Sequence, residues 1–384
     1  MNVNNTEEKK RIESLDIFRG VLIFFVVFGH FLLPMKDREY LLSTSLFLLI
    51  YSFHMPAFIF LSGYFYYGSW KRKGTGFKSL FSLLILFFLM KIILHISDML
   101  FYDSKNIIPD FLHESSTPWY ISTLIFFRLS LFPLELIMKR KKKDVEFKTE
   151  INNSETKQRG KYIRLKELLK NNITIYTLAL LVLTLCISML NAEWQKNIKD
   201  FLSLDRVISF APFFYIGFLY KKYSSTKKIS IFEKCNYLLF CLGAIAVITF
   251  IIFFSYLRPY SRIFYGPWGY RIAKEDVLPV FKGILNPLRI VYIPYALSIA
   301  YFVFIIFCKK ENFLSSLLSR FGVYSLPIFV FHRPIRDAFD YLVLKNLNIE
   351  KFGEISILAV LLIISFIVCI LLGTDKANRV CRFK

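Results

Sequence analysis

The sequence predicts an all-α integral membrane protein of about ten transmembrane helices, and three observations carry that prediction. Apolar runs of about 20 residues recur along the whole chain, the length a helix needs to cross the hydrocarbon of a bilayer. The composition is 55% hydrophobic, with 43 Phe among 384 residues, and mean hydropathy is +0.48; water-soluble globular domains are not that apolar. Lys and Arg gather in alternate connections between the runs, the asymmetry that sets topology.

The first span, 17–34, is apolar from Ile17 to Leu33 except for Arg19 and His30. It is too long for a signal-peptide core, and Gly29-His30-Phe31 offers no small-residue cleavage site. The second, 41–67, is long for one helix, and Pro56 is expected to kink it. The third (77–97) and fourth (119–138) carry charges within their apolar runs, Lys91 and Arg128, each of which needs a partner. The fifth covers 173–190. The sixth, 207–221, is short and lies in FAPFFYIGFLYKK, which begins at Phe210. The last four are 236–257, 289–308, 322–344 and 355–373.

Lysines and arginines crowd loops 68–76, 139–172 and 222–235 and the C-terminal tail, whereas loops 35–40, 98–118, 191–206 and 345–354 are balanced or acidic. The even span count and the positive-inside rule agree in placing both termini in the cytoplasm. Loop 139–172, rich in Lys, Asn and Glu, reads as a cytoplasmic connector. One outer loop, 258–288, breaks the rule with Arg258, Arg262, Arg271, Lys274 and Lys282. The formal net charge of +22 is therefore read as topology, and no nucleic-acid partner is expected. The six cysteines lie in spans, at cytoplasmic edges or in the tail, so no disulfide is expected. There is no GxxxxGK[ST] phosphate loop and no HExxH pair, which leaves ATPase and zinc-protease readings without support.

Ionisable residues inside a span are costly and mark sites. Arg19 and His30 are eleven residues apart, about 16 Å along a helix axis and close to three turns, so they share a face. Snorkelling to the headgroups would account for Arg19 alone; it leaves the shared face unexplained. Counted from the cytoplasmic ends of their spans, His30, His54 and His332 stand about 21, 20 and 18 Å up. Three spans thus bring a histidine to one layer, with His95 slightly higher and His113 in an outer loop. Imidazole titrates near ambient pH and suits general-base work. A His30–His54–His332 metal site is the weaker alternative, because no companion carboxylate stands at ligand spacing, and no metal is expected.

Arg19 and His30, inside a helix opened by LDIFRG, resemble the signature of acyltransferase family 3. FHMPAFIFLSGYF (Phe53 to Phe65) is similar to the next family motif and to the branch of fucose 4-O-acetylases and capsular polysaccharide O-acetyltransferases. Pro118–Tyr120 (PWY), the segment from Phe210 and IFVFHRPI from Ile328 follow in the expected order. The resemblance covers almost the whole chain, read as a single polytopic acyltransferase domain over 1–384. It implies transfer of an acyl group from cytoplasmic acyl-CoA to a hydroxyl of an extracytoplasmic or lipid-linked envelope glycan, in a bacterial cytoplasmic membrane. No cofactor is implied beyond acetyl-CoA or another acyl-CoA as donor substrate.

Within that expectation His30 is the base and His54 a second catalytic histidine, with an acyl-histidine intermediate as the rival chemistry. Arg19, one turn inside the cytoplasmic face, would hold a CoA phosphate or pantetheine amide, because guanidinium binds phosphate by two parallel bonds. Lys71, Arg72 and Lys73 edge the same face as further donor-binding candidates, although topology alone would put them there. His332 with Arg262, Trp268 and Arg271 of the outer loop are the acceptor-binding candidates. Aromatic faces beside arginines suit a sugar polymer, and an interfacial aromatic belt is the plain alternative. O-succinyl transfer to poly-N-acetylglucosamine and polysaccharide export through a histidine proton relay are the rival functions; the latter is disfavoured by the lack of inverted repeats.

The topology has a direct test. Cysteines placed one at a time in 139–172 should react only with permeant reagents, and those in 98–118 and 258–288 with impermeant ones. External labelling within 139–172 would invert the scheme.

Overall fold

The structure, a computed structural model, describes the backbone of residues 2–102, 106–113, 116–140, 155–190, 200–224, 230–257, 288–308, 312–346 and 352–381; side chains are described from 13 onward within these ranges, excepting 155–170 and 230–235. Most of loop 258–288, with Arg262, Trp268 and Arg271, and residues 141–154 of the connector lie outside the described residues. The described chain is all-helical apart from an isolated bridge between His113 and Phe201. Its main helices are α1 Asn2–Asp37, α2 Leu41–Lys73, α3 Phe77–Phe101, α4 Trp119–Ser130, α5 Glu155–Met189, α6 Leu204–Ser224, α7 Ser230–Ile252, α8 Leu288–Cys308, α9 Phe313–Val323, α10 Ser325–Leu342, α11 Glu354–Leu372 and α12 Asp375–Cys381.

Every span expected from the sequence coincides with a helix, but the number long and apolar enough to cross a bilayer is seven among the described residues: Glu13–Asp37, Leu41–Lys73, Phe77–Phe101, Trp119–Arg140, Asn171–Met189, Leu288–Cys308 and Glu354–Leu372. Three expected spans differ. The helix at 207–221 is lengthened by charged turns, with Asp205 in its first and Lys221 and Lys222 in its last, which lowers its apolarity. The apolar helix at 236–257 stops at Ile252. The span expected at 322–344 is a broken pair, α9 and α10, bent by 86° at Tyr324. Pro327 favours the break: it has no N–H for the carbonyl of Val323, and its ring crowds that carbonyl, while α9 is seated on α1. In the first turn of α10 the missing N–H costs nothing.

α1 and α2 form the centre. Within the apolar window of each, 72% is buried inside the protein, against 17% for the α5 window. α1 packs on α2, α9, α10 and α11; α2 packs on α6 and α8; α3 bridges α4 and α10. Two of these contacts are backbone against backbone. A Cβ on Gly20 of α1 would overlap the carbonyl oxygen of Leu318 on α9, and one on Gly322 would overlap that of Asp16. Gly63 of α2 and Gly217 of α6 are related in the same way through Phe214 and Phe60. Small residues at such crossings let membrane helices approach closely where apolar burial gives no drive to associate.

Carboxylates and amides tie the helix ends. Glu354, at the start of α11, accepts bonds of 2.7 Å from both the backbone N–H and the hydroxyl of Ser43 in the first turn of α2. Glu135 accepts the N–H of Thr75 at 2.6 Å beyond the end of α2. In the loop after α3, the backbone N–H groups of His113 and Leu112 donate to Asp110 and hold its carboxyl below the usual range.

The crossings predict a contrast between glycines. Gly20→Ala, Gly63→Ala and Gly217→Ala should each destabilise by at least the ~1–3 kcal/mol typical of overpacking, read as lost thermal stability of detergent-purified protein. Gly68→Ala, in α2 with nothing within 4 Å of its Cβ position, should be neutral or gain up to ~1 kcal/mol of helix propensity. Equal tolerance at all four positions would sink the argument.

Candidate functional site

The polar side chains that interrupt the apolar helices gather around two adjoining cavities. The larger, of about 400 Å³, runs between α1, α2 and α4 and is closed by the start of α10. Its polar lining comes from Arg19, Ser62, Tyr66, Ser69, Tyr120, Arg128 and Ser325. The Arg19 guanidinium donates to Asp16 one turn earlier at 2.8 Å and stands 5.6 Å over the Phe65 ring. The Tyr120 hydroxyl lies 2.8 Å from that of Ser62 and joins α4 to α2. Arg128, for which the sequence offered no partner, donates to the Ser79 hydroxyl at 2.7 Å and lies 5.0 Å from the Tyr66 ring. Lys91, the other span charge, donates to the carbonyl of His113 at 2.8 Å and lies outside both cavities.

The smaller cavity, of about 140 Å³, is lined by His30, Tyr51, His54, Ser116, Thr117, Trp119, Arg206 and Arg333 among others. Here the three histidines expected at one depth lie close to one another. The rings of His30 and His332 are 5.1 Å apart. Tyr51 joins the third member: its ring is 4.7 Å from His54 and 6.4 Å from His30. Val26, Met55 and Phe329 line both cavities, so the Arg19 side and the His30 side adjoin across three apolar side chains.

The three histidines are held differently. Nδ1–H of His54 donates to the carbonyl of Ile50 at 2.7 Å, and Nδ1–H of His332 to that of Ile328 at 2.9 Å. A carbonyl only accepts, so in each ring the Nδ1 carries the proton and Nε2 is left with its lone pair. Nε2 of His332 is buried with no hydrogen-bond partner among the described residues, as is Nδ1 of His30. His332 lies one position before Arg333 on α10, whose Asp337 is fully buried, accepts from Arg333 at 3.1 Å and from Ser97 of α3 at 3.0 Å, and has the Arg336 guanidinium 3.0 Å away as an ion-pair partner. That network carries α10 on α3. Tyr102, just past the end of α3, donates to Asp340 at 3.0 Å; burial pushes its phenol upward, so it stays a donor.

Other candidates from the sequence are not brought together. Lys71, Arg72 and Lys73 are exposed in the last turn of α2 and line neither cavity. His95 contacts the carbonyl of Ile107 at 3.3 Å, and His113 pairs with Asp110 at 3.0 Å. Among the described residues no three of His, Cys, Asp and Glu are grouped as metal ligands. Sequence reading missed Arg206, whose guanidinium lies 5.5 Å over the Trp119 ring and pairs with Asp200 at 3.3 Å. It also missed Tyr120, although PWY was a noted motif. Neither residue carries a signal of its own until α4 and α6 are brought side by side.

Neither a curated protein nor a solved structure matches the chain. The sequence model described as an acyltransferase domain, that of acyltransferase family 3, matches residues 12–374. That stretch includes every residue lining both cavities. The chain therefore belongs to acyltransferase family 3 and, with its seven apolar helices, is a multi-pass membrane acyltransferase.

Proposed function

We propose that this protein is an O-acetyltransferase that takes the acetyl group from cytoplasmic acetyl-CoA and delivers it to a hydroxyl of an extracytoplasmic or lipid-linked envelope or capsular polysaccharide, in a bacterial cytoplasmic membrane. The observation that supports this reading best is the adjoining pair of cavities that share a wall, one lined by Arg19 and Arg128 and the other by His30 and His54 beside Arg206 and Arg333. A donor carrying phosphates needs fixed cations, and an acceptor hydroxyl needs a base. The LDIFRG and FHMPAFIFLSGYF segments add the likeness to fucose 4-O-acetylases and capsular O-acetyltransferases.

On this reading Arg19 holds the donor and His30 is the base. The acceptor oxygen attacks the thioester carbonyl while His30 takes the hydroxyl proton. The C–S bond then breaks, and the CoA thiolate leaves and recovers that proton from the imidazolium. The His332 ring lies 5.1 Å from that of His30, and a His30 that carries its proton on Nδ1 presents Nε2 as the base to the acceptor. The acceptor would lie against Arg206, Trp119 and Arg333 at the smaller cavity.

His30→Ala should lower acetyl transfer by the ~10²–10⁴-fold of lost general-base assistance, with acyl-CoA binding kept. The readout is radiolabel passing from acetyl-CoA to envelope glycan in membranes; transfer at the wild-type rate would remove His30 from the chemistry. Arg19→Ala should instead weaken acetyl-CoA binding, and Arg19→Lys should restore it only in part, because an ammonium lacks the planar fork. Unchanged binding in Arg19→Ala would refute the donor assignment. Mass spectrometry of the glycan with and without the protein should show added acetyl; glycan moved across vesicles without added acyl groups would favour the exporter instead.

A further inference from the structure

We propose that Val26, Met55 and Phe329 form a septum that selects the acyl chain, admitting acetyl and excluding longer groups; the proposal rests on the acyl-transfer reading above. These three residues line both cavities. Each is buried, with 3% of Val26, 8% of Met55 and 7% of Phe329 exposed. An acyl group held by a donor at Arg19 and attacked at His30 must lie against all three.

The walls of the passage differ in stiffness. Phe329 packs edge-on against Tyr120 of the larger cavity at 5.3 Å and lies 6.2 Å from His332 on the other side. Phe329 is thus held between α4 and the next turn of its own helix. Val26 is β-branched and stiff about χ1. Met55 is unbranched and adapts to irregular space, so it is the part of the wall that can move aside. The space beyond is about 140 Å³, against about 400 Å³ on the donor side. With its carbonyl carried toward His30, a longer alkyl chain has to extend into that smaller space or turn back against Phe329. One methylene at an apolar wall alters transfer by roughly 10–200-fold.

The test gives membranes equimolar acetyl-CoA and butyryl-CoA with de-O-acylated envelope glycan from the source strain, and reads the acyl groups on the glycan by mass spectrometry. Wild type should favour acetyl at least ~10-fold. Met55→Ala and Phe329→Leu should each reduce that preference ~10-fold or more, chiefly by raising butyryl transfer. Val26→Ile, which adds a single methylene, should sharpen it, and it serves as the gentler variant should either of the others fail to accumulate. An unchanged acetyl-to-butyryl ratio in the variants that accumulate overturns the septum while leaving acyl transfer standing. No transfer of either group by wild type overturns the proposed function, and the septum with it.

Discussion

The direct contact of backbones at Gly20–Gly322 and Gly63–Gly217 is the constraint on which the rest of this structure depends. In a bilayer, lipid is as apolar as the helices it surrounds, so association relies on close packing more than on burial. Gly20 follows Arg19, and Gly322 lies two residues before the break at Tyr324. The first crossing therefore fixes where Arg19 enters its cavity and where α9 turns into α10. That turn lays α10 along α1, where His332 meets His30 at 5.1 Å. The second crossing seats α6 on α2 in the same manner, and Arg206 in the first turn of α6 reaches the smaller cavity.

Much of this was legible in the sequence, for a reason specific to membrane helices. An ionisable residue in an apolar run is conspicuous and cheap surface does not hide it. Arg19 and His30 stood out, their eleven-residue spacing gave the shared face, and depth counting put His54 and His332 in one layer. The break at Tyr324 was not legible as such. Pro327 is also compatible with a kinked continuous span, and only the seating of α9 on α1 makes a sharp break the better solution. Nor were the partners of Arg128 legible, since Ser79 and Tyr66 lie on α3 and α2. The span count suffered at α6, where charged turns at both ends shorten the apolar stretch that a sequence reading counts.

Burying Asp337 among two arginines is costly unless every lone pair is met. Arg333 and Ser97 donate to it and Arg336 adds a second positive charge 3.0 Å away, so the network favours one register of α10 on α3. A slip of one residue would turn Asp337 from its partners and take His332 off the face toward His30. The polar cluster thus works as a register device for a histidine several residues away, and its arginine Arg333 also reaches the lining of the smaller cavity.

The three neighbouring histidines are not held alike, and the difference bears on the proposal that His30 is the base. His54 and His332 each give Nδ1–H to the carbonyl four residues earlier in their own helix, which locks ring orientation and tautomer together. A ring so locked can accept a proton only at Nε2, and becoming cationic would leave that charge in an apolar surrounding. His30 makes no such bond through Nδ1, lines the smaller cavity and has the His332 ring 5.1 Å away. Of the two histidines that line this cavity, His30 is thus the one whose Nδ1 no backbone carbonyl holds.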